Sequence, residues 1–248
     1  MLKNSSLLAT LIVISLFAAC KKNNDAPAGS GSLPKTYTED FRSSTYSTKV
    51  TYNLTYDGNN RLISMTAIPE PAIVKFIYTY SSGNTFSMDL YNSNALSIHE
   101  NFWLNSSSLL DSTFQYNDTN DSSTEKYVYN SNNQLLQIKN YNYSSTGSVP
   151  DYTTDYTYDN AGNATLESIS NRGSTSFTYY TDLPYTLNIG LNIIPQPKYF
   201  IKTATSTAGS SPITATHFYK FDSSNRLIQD SATTTGAVDA IAIKTYTY

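Results

Sequence analysis

The chain has 248 residues, a formal net charge of −3 and only 14% charged residues. No stripe of Lys and Arg is present that could neutralise phosphates, which excludes a nucleic-acid-binding protein. Aromatic residues make up 13% of the chain, including 22 Tyr, which excludes a disordered chain and favours strands over helices.

The first patterned segment is a signal peptide, predicted over residues 1–19. Lys3 precedes a polar stretch and then the apolar run Leu7 to Ala19, which has the length of a signal-peptide core and is too short to cross a bilayer as a helix. The run leads into Cys20, the only cysteine, so an intramolecular disulfide is impossible. An ordinary signal peptide, or a buried core segment with an incidental cysteine, is the alternative.

The junction Ala18-Ala19-Cys20 resembles a bacterial lipobox, in which the cysteine is lipidated before cleavage, although Phe17 stands where Leu is usual. The resemblance implies a lipid anchor on Cys20, and several acyl chains on one residue anchor a protein stably. Lys21 differs from the Asp that retains enteric lipoproteins in the inner membrane. We therefore expect the outer membrane, on its periplasmic or its cell-surface face.

Residues 20–35 form the second segment, a lipidated cysteine followed by a flexible tether. The tether is rich in Gly, Ser, Asn and Pro, which cannot bury a core.

Residues 36–248 are predicted to form one all-β domain. Apolar and polar residues alternate, as at Tyr52, Leu54 and Tyr56, which is typical of antiparallel strands with one buried face. We count about fifteen strands in a meander and expect little or no helix in the mature chain. An open sheet of that width curls or splits, so we expect it to roll into an open barrel, a sandwich or a shell.

A six-fold recurrence supplies the hairpin turns of this domain. Each copy has an apolar anchor, then Asp, Asn or Ser one residue on, Asn, Gly or Ser four on, and usually an apolar residue six on. The residue at +1 can start a turn by hydrogen-bonding the backbone, and the residue at +4 can adopt a positive φ. The anchors are Tyr56, Tyr80, Leu104, Tyr129, Tyr158 and Phe221.

One stretch interrupts the recurrence. Between Tyr179 and Phe221 lie four prolines, and Leu183 to Pro197 is predicted to be a loop or an edge excursion, because proline removes a donor from a strand ladder. A strand pattern resumes at Lys198 to Lys202, and the chain ends on another that reaches Tyr248.

The recurrence resembles the tyrosine-aspartate (YD, or RHS) repeat, whose usual form is Tyr-x-Tyr-Asp-x-x-Gly-Arg-Leu. The residues that carry the resemblance are Tyr56, Asp57, Asn60, Arg61 and Leu62 in one copy, Tyr158, Asp159 and Gly162 in a second, and Phe221, Asp222, Asn225, Arg226 and Leu227 in a third. The resemblance is to small envelope lipoproteins with degenerate repeats of this kind. It implies a β-hairpin repeat fold and an envelope location, but no activity.

Residues for catalysis are sparse. The two histidines are read as structural, His217 packed on the face of Tyr219 and His99 on the surface. The turns Asp57 to Asn60 and Asp159 to Asn163 lack the spacing and the terminal Glu of a calcium loop. The acidic loop Asn117 to Asp121 is the least poor calcium candidate, with a solvated connection as the alternative. Paired carboxylates on distant strands remain open from the sequence. We expect no enzyme activity, no metal and no cofactor.

These observations predict a monomeric, non-catalytic envelope lipoprotein that presents a repeat scaffold for binding or structural work. Its predicted contacts are the membrane, through Cys20, and a glycan or an envelope protein. A glycan-binding outer-membrane lipoprotein is the first alternative, and a glycan-processing enzyme the second. The aromatic candidates for a glycan surface are Trp103, Phe218, Tyr141 and Tyr143, and specific function is expected where the copies differ, as in Leu183 to Pro197.

Overall fold

The structure is a computed structural model that describes residues 33–68, 74–117, 121–144, 147–191, 193–209, 211–236 and 239–248. These residues form sixteen antiparallel strands, and no helix occurs among them. The strands are β1 (Thr36–Ser43), β2 (Ser47–Tyr56), β3 (Leu62–Ile68), β4 (Val74–Tyr80), β5 (Thr85–Asn92), β6 (Ala95–Leu104), β7 (Leu110–Asn117), β8 (Ser122–Tyr129), β9 (Leu135–Ser144), β10 (Gly147–Tyr158), β11 (Ala164–Ile169), β12 (Gly173–Pro184), β13 (Tyr199–Ser206), β14 (Ile213–Phe221), β15 (Leu227–Thr235) and β16 (Ala240–Thr247).

The strands follow one another as a meander that closes into a barrel. Each strand pairs with its neighbours in the chain, and β16 pairs with β1 over eight residues, from Thr36 opposite Thr247 to Ser43 opposite Ala240. The all-β meander predicted from the sequence is confirmed, with sixteen strands where about fifteen were counted. Closure is complete, so no strand edge remains unpaired and the open barrel, the sandwich and the open shell are replaced by a closed barrel.

The period-two pattern separates the inner wall from the outer wall. On β2, Tyr52 and Leu54 are buried inside, whereas Asn53 and Thr55 between them are exposed outside. Cross-strand pairs keep this order, since inward Phe76 lies opposite inward Leu90. The aromatic and aliphatic residues therefore fill the barrel, as their alternation with polar residues predicts.

Five of the six recurrent turns are built alike. In the first, the Asp57 carboxylate accepts hydrogen bonds from the backbone N–H groups of Asn59 and Arg61, both at 2.9 Å, and Asn60 has a φ of 61°. A register shift between Thr55 and Tyr56 marks the bulge that this turn closes. The same donors and acceptors recur after Leu104, Tyr129, Tyr158 and Phe221, with positive φ at Ser108, Asn133, Gly162 and Asn225.

The copy at Tyr80 departs from this pattern. Its positive φ lies at Gly83, three residues after the anchor, and not at Asn84, so the expectation of a positive φ at +4 is wrong for this copy. Tyr80 pairs directly with Phe86 without a register shift. Glycine adopts the required conformation at low cost, and the turn spans the same five residues without the bulge of the other copies.

The anchor tyrosines connect each hairpin to the preceding one. The hydroxyl of Tyr80 donates to the carbonyl of Leu62 at 2.9 Å, and that of Tyr158 to the carbonyl of Leu135 at 2.8 Å. Tyr248 completes the circle by donating to the carbonyl of Leu227. The carbonyls of Leu62, Leu135 and Leu227 thus each receive a donor from a later tyrosine, as a half-buried backbone group requires.

The stretch that interrupts the recurrence closes one end of the barrel. Strand β12 runs through Pro184, so the predicted loop begins two residues later than expected, and β13 begins at Tyr199. Between them, residues 185–191 and 193–198, called the plug below, cross the end at which the recurrent turns lie. Its side chains Leu187, Ile189, Leu191 and Ile193 are all buried.

The turn aspartates offer a test with an internal control. The Asp222 carboxylate accepts from the backbone N–H of Arg226 and also pairs with its guanidinium, and these contacts hold the pKa of Asp222 below its ordinary value. Asn130 closes the same turn without a charge. We expect Asp222→Ala to lower the melting temperature by about 2–4 °C at pH 7, and Asp222→Asn to leave it nearly unchanged.

The dependence on pH separates the turn from the ion pair. Because the folded-state pKa of Asp222 is lowered, its carboxylate stabilises the fold above the ordinary pKa of 3.8, and this contribution is lost as the pH falls through the lowered value. Thermal unfolding of the wild type and the Ala variant should converge in that acidic range. An Asn variant as unstable as the Ala variant at pH 7 would show that the turn geometry is not what Asp222 supplies.

Candidate functional site

The repeat residues predicted from the sequence lie around one rim of the barrel and form no pocket of their own. Asp57 and Asp222 each bind an arginine four residues on, Arg61 and Arg226, and the two guanidinium groups stack on the rings of Tyr80 and Tyr248 at 4.1 and 4.4 Å. These contacts are structural. Cys20 lies outside the described residues.

The plug is bound to this rim at two separated strands, β3 and β7. The carbonyl of Gly190 accepts from the backbone N–H of Leu62 on β3 at 3.2 Å, and the carbonyl of Ile193 accepts from that of Leu110 on β7 at 2.8 Å. At Gly190 the φ is 78° and an added Cβ would lie 2.7 Å from the carbonyl oxygen of Asn60, so this close approach requires glycine.

Asn163 binds the plug where it leaves the rim. This residue is 2% exposed, and its side-chain oxygen accepts from the backbone N–H groups of Lys198 and Tyr199 at 2.9 and 3.3 Å. Its amide nitrogen donates to Asp159. Asn163 stands where the usual repeat has Arg, and so departs from the repeat pattern. This departure was the signal available in the sequence, because Asn163 binds the plug as well as Asp159 of its own turn.

The inner wall carries several carboxylates among its apolar side chains. Glu100 lies on β6 between inward Ile98 and Phe102, and Glu125 lies on β8 opposite Thr113. Glu125 accepts from the hydroxyl of Tyr127 at 2.5 Å. Burial, together with the charge of Glu125, raises the pKa of Glu100 to about 8. The Glu100 carboxyl therefore retains its proton at neutral pH.

A second inner group lies near the closure. Lys244 on β16 stands opposite Glu39 on β1 and Asp230 on β15. The Asp230 carboxylate oxygen Oδ1 lies 3.0 Å from His217 Nδ1. The His217 ring stacks on Tyr219, with ring centres 6.1 Å apart. His217 is thus packed in the inner wall, as its strand pattern indicates.

The outer wall is polar over most strands. Cross-strand pairs of hydroxyls are its recurring feature. They include Thr38 with Thr51 at 2.9 Å, Thr178 with Thr203 at 2.6 Å and Thr205 with Thr214 at 3.0 Å. Charged residues also face outward, among them Asp40 bound to Arg42.

Strands β6 to β9 form the exception to this polar wall. Tyr116 lies opposite His99, Phe114 opposite Asn101, and Tyr143 packs edge-on against Phe114 with ring centres 5.8 Å apart. Trp103 follows on the same face of β6 and is 39% exposed. Three of the aromatic candidates named from the sequence thus lie on this side of the barrel, Trp103 on β6 and Tyr141 and Tyr143 on β9. The fourth, Phe218, is exposed on distant β14.

Neither histidine is arranged with a nucleophile. His99 binds Asp89 through Nδ1 at 2.5 Å and Asn101 through Nε2 at 3.2 Å on the outer wall. Within the described ranges, no hydroxyl group binds Nε2 of His217. No group of three His, Cys, Asp or Glu side chains that could hold a metal ion occurs in the described part of the chain. Residues 118–120 of the predicted calcium loop lie outside that part.

Comparisons with known proteins identify the fold. No protein-family model and no curated protein matches the chain. A porin-like protein from Bacteroides uniformis superposes with a TM-score of 0.62 at 13% identity, over 86% of this chain and 96% of that one. A porin-like protein from Bacteroides vulgatus superposes with a TM-score of 0.60 at 11% identity, over 88% of this chain and 99% of that one. The chain shares its barrel fold with these porin-like proteins.

Among the described residues, no helix is long and apolar enough to cross a membrane.

The inner carboxyl pair predicts an unusual dependence of stability on pH. Because the pKa of Glu100 is raised from 4.5 to about 8, its cost to folding is absent below pH 4.5, grows between those values and is constant above pH 8. Glu100→Gln should raise the melting temperature at pH 8 and leave it unchanged at pH 4. Thermal unfolding at both values measures this.

The control for this variant is Asp111→Asn, which removes an exposed carboxylate on the outer side of neighbouring β7. It should show no such difference between the two pH values. A Glu100→Gln variant that is less stable than the wild type at pH 8 would mean that the carboxylate is needed in its ionised form.

Proposed function

We propose that the chain is a non-catalytic lipoprotein of the bacterial outer membrane, anchored through Cys20, whose barrel is a scaffold for binding. The observation that carries the proposal is the polarity of the barrel, together with the plug at one end. The buried cluster inside is apolar, apart from inward ionisable groups such as Glu100 and Glu125, and the outside is polar over most strands. A barrel with these surfaces is stable in water and obstructed as a channel. Its lipid attachment would then come from the N-terminal segment.

The outer wall argues against a barrel embedded in lipid. A membrane-crossing barrel presents an apolar band about 25 Å tall to the lipid and keeps polar residues inside. Here, hydroxyl pairs such as Thr38 with Thr51 and ion pairs such as Asp40 with Arg42 face outward. Placing such groups in hydrocarbon is costly. The similarity to porin-like proteins thus supports a shared fold and an envelope location. The polar outer wall supports a barrel that faces water and not lipid.

The N-terminal residues favour one orientation. The carbonyl of Pro34 accepts from the hydroxyl of Tyr56, and the N–H of Lys35 donates to the carbonyl of Thr247, so the chain enters at the plugged end. Cys20 precedes Pro34 by 14 residues (34 − 20), a tether that reaches at most about 50 Å. The plugged end then faces the membrane, and the opposite rim and the side walls face away.

The distribution of polar side chains supports a non-catalytic role. The histidines are bound to Asp89 and Asp230, and the inner carboxylate Glu125 accepts from Tyr127 and Asn140. Nucleophilic hydrolysis needs a hydroxyl or thiol held against a base. Complete pairing of the strand edges also supports a monomer, because no edge is left to recruit a second chain.

Membership in the YD repeat family is part of the proposal. Its support is the common turn, in which the Asp at +1 accepts backbone donors and binds the Arg at +5, as Asp57 does with Arg61. The anchor tyrosine then reaches the preceding copy, as Tyr80 does with Leu62. These contacts give a physical role to each residue type of the repeat.

The anchor is tested by replacing its attachment residue. We expect Cys20→Ala to move the protein from the membrane fraction to the soluble fraction, because a single signal segment without acyl chains leaves nothing to hold the polar barrel at the membrane. Fractionation followed by detection of the barrel measures this, with a serine substitution elsewhere in the tether, Ala28→Ser, as control. A Cys20→Ala protein that stays with the membrane would exclude the lipid anchor.

Whether the barrel forms a channel in a lipid bilayer is tested separately by measuring conductance. Purified protein added to a planar lipid bilayer should produce no channel currents, because the outer wall is polar and the plug obstructs one end. A porin of known conductance in the same bilayer is the positive control. Stable stepwise currents that disappear with an excess of unlabelled antibody against the barrel would establish a pore and contradict the proposal.

A further inference from the structure

The outer surface of β6 to β9 differs from the rest of the wall. Its aromatic residues are His99, Trp103, Phe114, Tyr116 and Tyr143, called the outer patch below. Tyr116, Trp103 and Tyr143 are each about two-fifths exposed, at 39%, 39% and 42%. Side chains of this size on a water-facing wall have no role in the barrel core, and clustered exposure of this kind marks an interaction surface.

The spacing within the outer patch is regular. The ring centre of His99 lies 4.9 Å from that of Tyr116, and the ring of Phe114 lies 6.3 Å from Tyr116 and 5.8 Å from Tyr143. These steps are comparable to the length of one pyranose unit. The negative face of an aromatic ring attracts the C–H groups on the apolar face of a sugar.

Hydrogen-bonding groups are interleaved with the rings. Asn101 separates His99 from Trp103 along β6, and its side-chain oxygen is 3.2 Å from His99 Nε2. On β8, the hydroxyl of Thr124 donates to that of Tyr143 at 3.3 Å. An amide and several hydroxyls beside exposed rings fit the hydroxyl-bearing edge of a sugar. They fit the uniformly apolar chains of a lipid poorly.

A hollow extends the outer patch beside Trp103. Its volume is about 160 Å³, and its outward-facing lining includes Thr85, Ser87 and Asn101. Three of the side chains around the indole ring are therefore polar and uncharged. The arrangement combines one exposed ring with short hydroxyl and amide donors.

The size of the outer patch argues against a second copy of the chain. It spans four strands and about five residues along each, which is roughly 14 Å by 14 Å, or on the order of 200 Å². A stable protein–protein interface buries about 800 Å² on each partner. Beside its rings, Leu96 on β6 and Val128 on β8 add exposed apolar surface, and Lys126 on β8 adds a positive charge. A ligand of two or three sugar units matches the available area.

We propose that the outer patch is a binding site for an oligosaccharide, with Trp103 and Tyr116 as the rings on which sugar units stack. The proposal names a ligand class for the scaffold described above and rests on its outer wall facing water. It does not depend on the lipid anchor. The side wall is also free of both the plug and the chain terminus, so anchoring leaves it accessible.

The test uses the full chain carrying Cys20→Ala, applied to an array of plant, fungal, host and bacterial cell-wall oligosaccharides. Binding to at least one oligosaccharide series is expected, followed by titration calorimetry with the best hexasaccharide. Trp103→Ala and Tyr116→Ala should each weaken that binding about tenfold. Phe218→Ala is the matched control, because it removes an exposed ring from distant β14 and should leave affinity unchanged.

Each outcome decides the proposal. Thermal unfolding of the variants verifies that the barrel remains folded, and outward positions such as Trp103 and Tyr116 should alter it little. An array without binding would overturn the proposal, as would binding that the two variants leave intact. A concentration-dependent dimer in sedimentation analysis that Tyr116→Ala abolishes would assign the outer patch to self-association instead. Retention of Cys20→Ala in membranes would affect only the anchor.

Discussion

The barrel depends on filling an interior that sixteen strands make too wide for a single layer of wall side chains. Barrels of this strand number commonly enclose an aqueous channel. Here the plug places Leu187, Ile189, Leu191 and Ile193 across one end, where they join the inward aromatic residues in one buried cluster. Hydrophobic burial on folding thus comes from the wall and the plug together, and the Pro-containing stretch is a structural part of the core.

Backbone hydrogen bonding explains why the recurrent turns have their particular residues. A bulge at the anchor leaves donors in the turn and a carbonyl on the return strand without ladder partners. The Asp or Asn at +1 accepts the donors, as at Asp57, and the next anchor tyrosine donates to the carbonyl, as Tyr80 does to Leu62. Where the anchor is a tyrosine, its hydroxyl therefore joins one copy to the preceding one. Tyr248 makes the same hydrogen bond to the carbonyl of Leu227 near the closure of the barrel.

The similarity to porin-like proteins also shows how far fold and function separate. The superposition covers most of both chains at 13% identity, which supports a common barrel and carries no activity. The use of a barrel follows from which wall is apolar. In this chain the inner wall is the more apolar of the two, so the surfaces available to a partner are the outer wall and the unplugged rim. The outer patch on β6 to β9 is where the outer wall departs from its hydroxyl-rich composition.

The sequence alone determined the strands, the turns and which residues face inward, because period-two alternation and positive-φ residues act over a few neighbours. Of the candidates it offered as exposed, Trp103, Tyr143 and Phe218 are exposed and Tyr141 is half-buried. Only the tertiary structure decided that the sheet closes, that the plug covers one end of the barrel and that Asn163 binds the backbone where the plug ends. It likewise decided that Phe114, Tyr116 and Tyr143 meet on one wall. These features join residues far apart in the chain, and no local pattern specifies the register that brings them together.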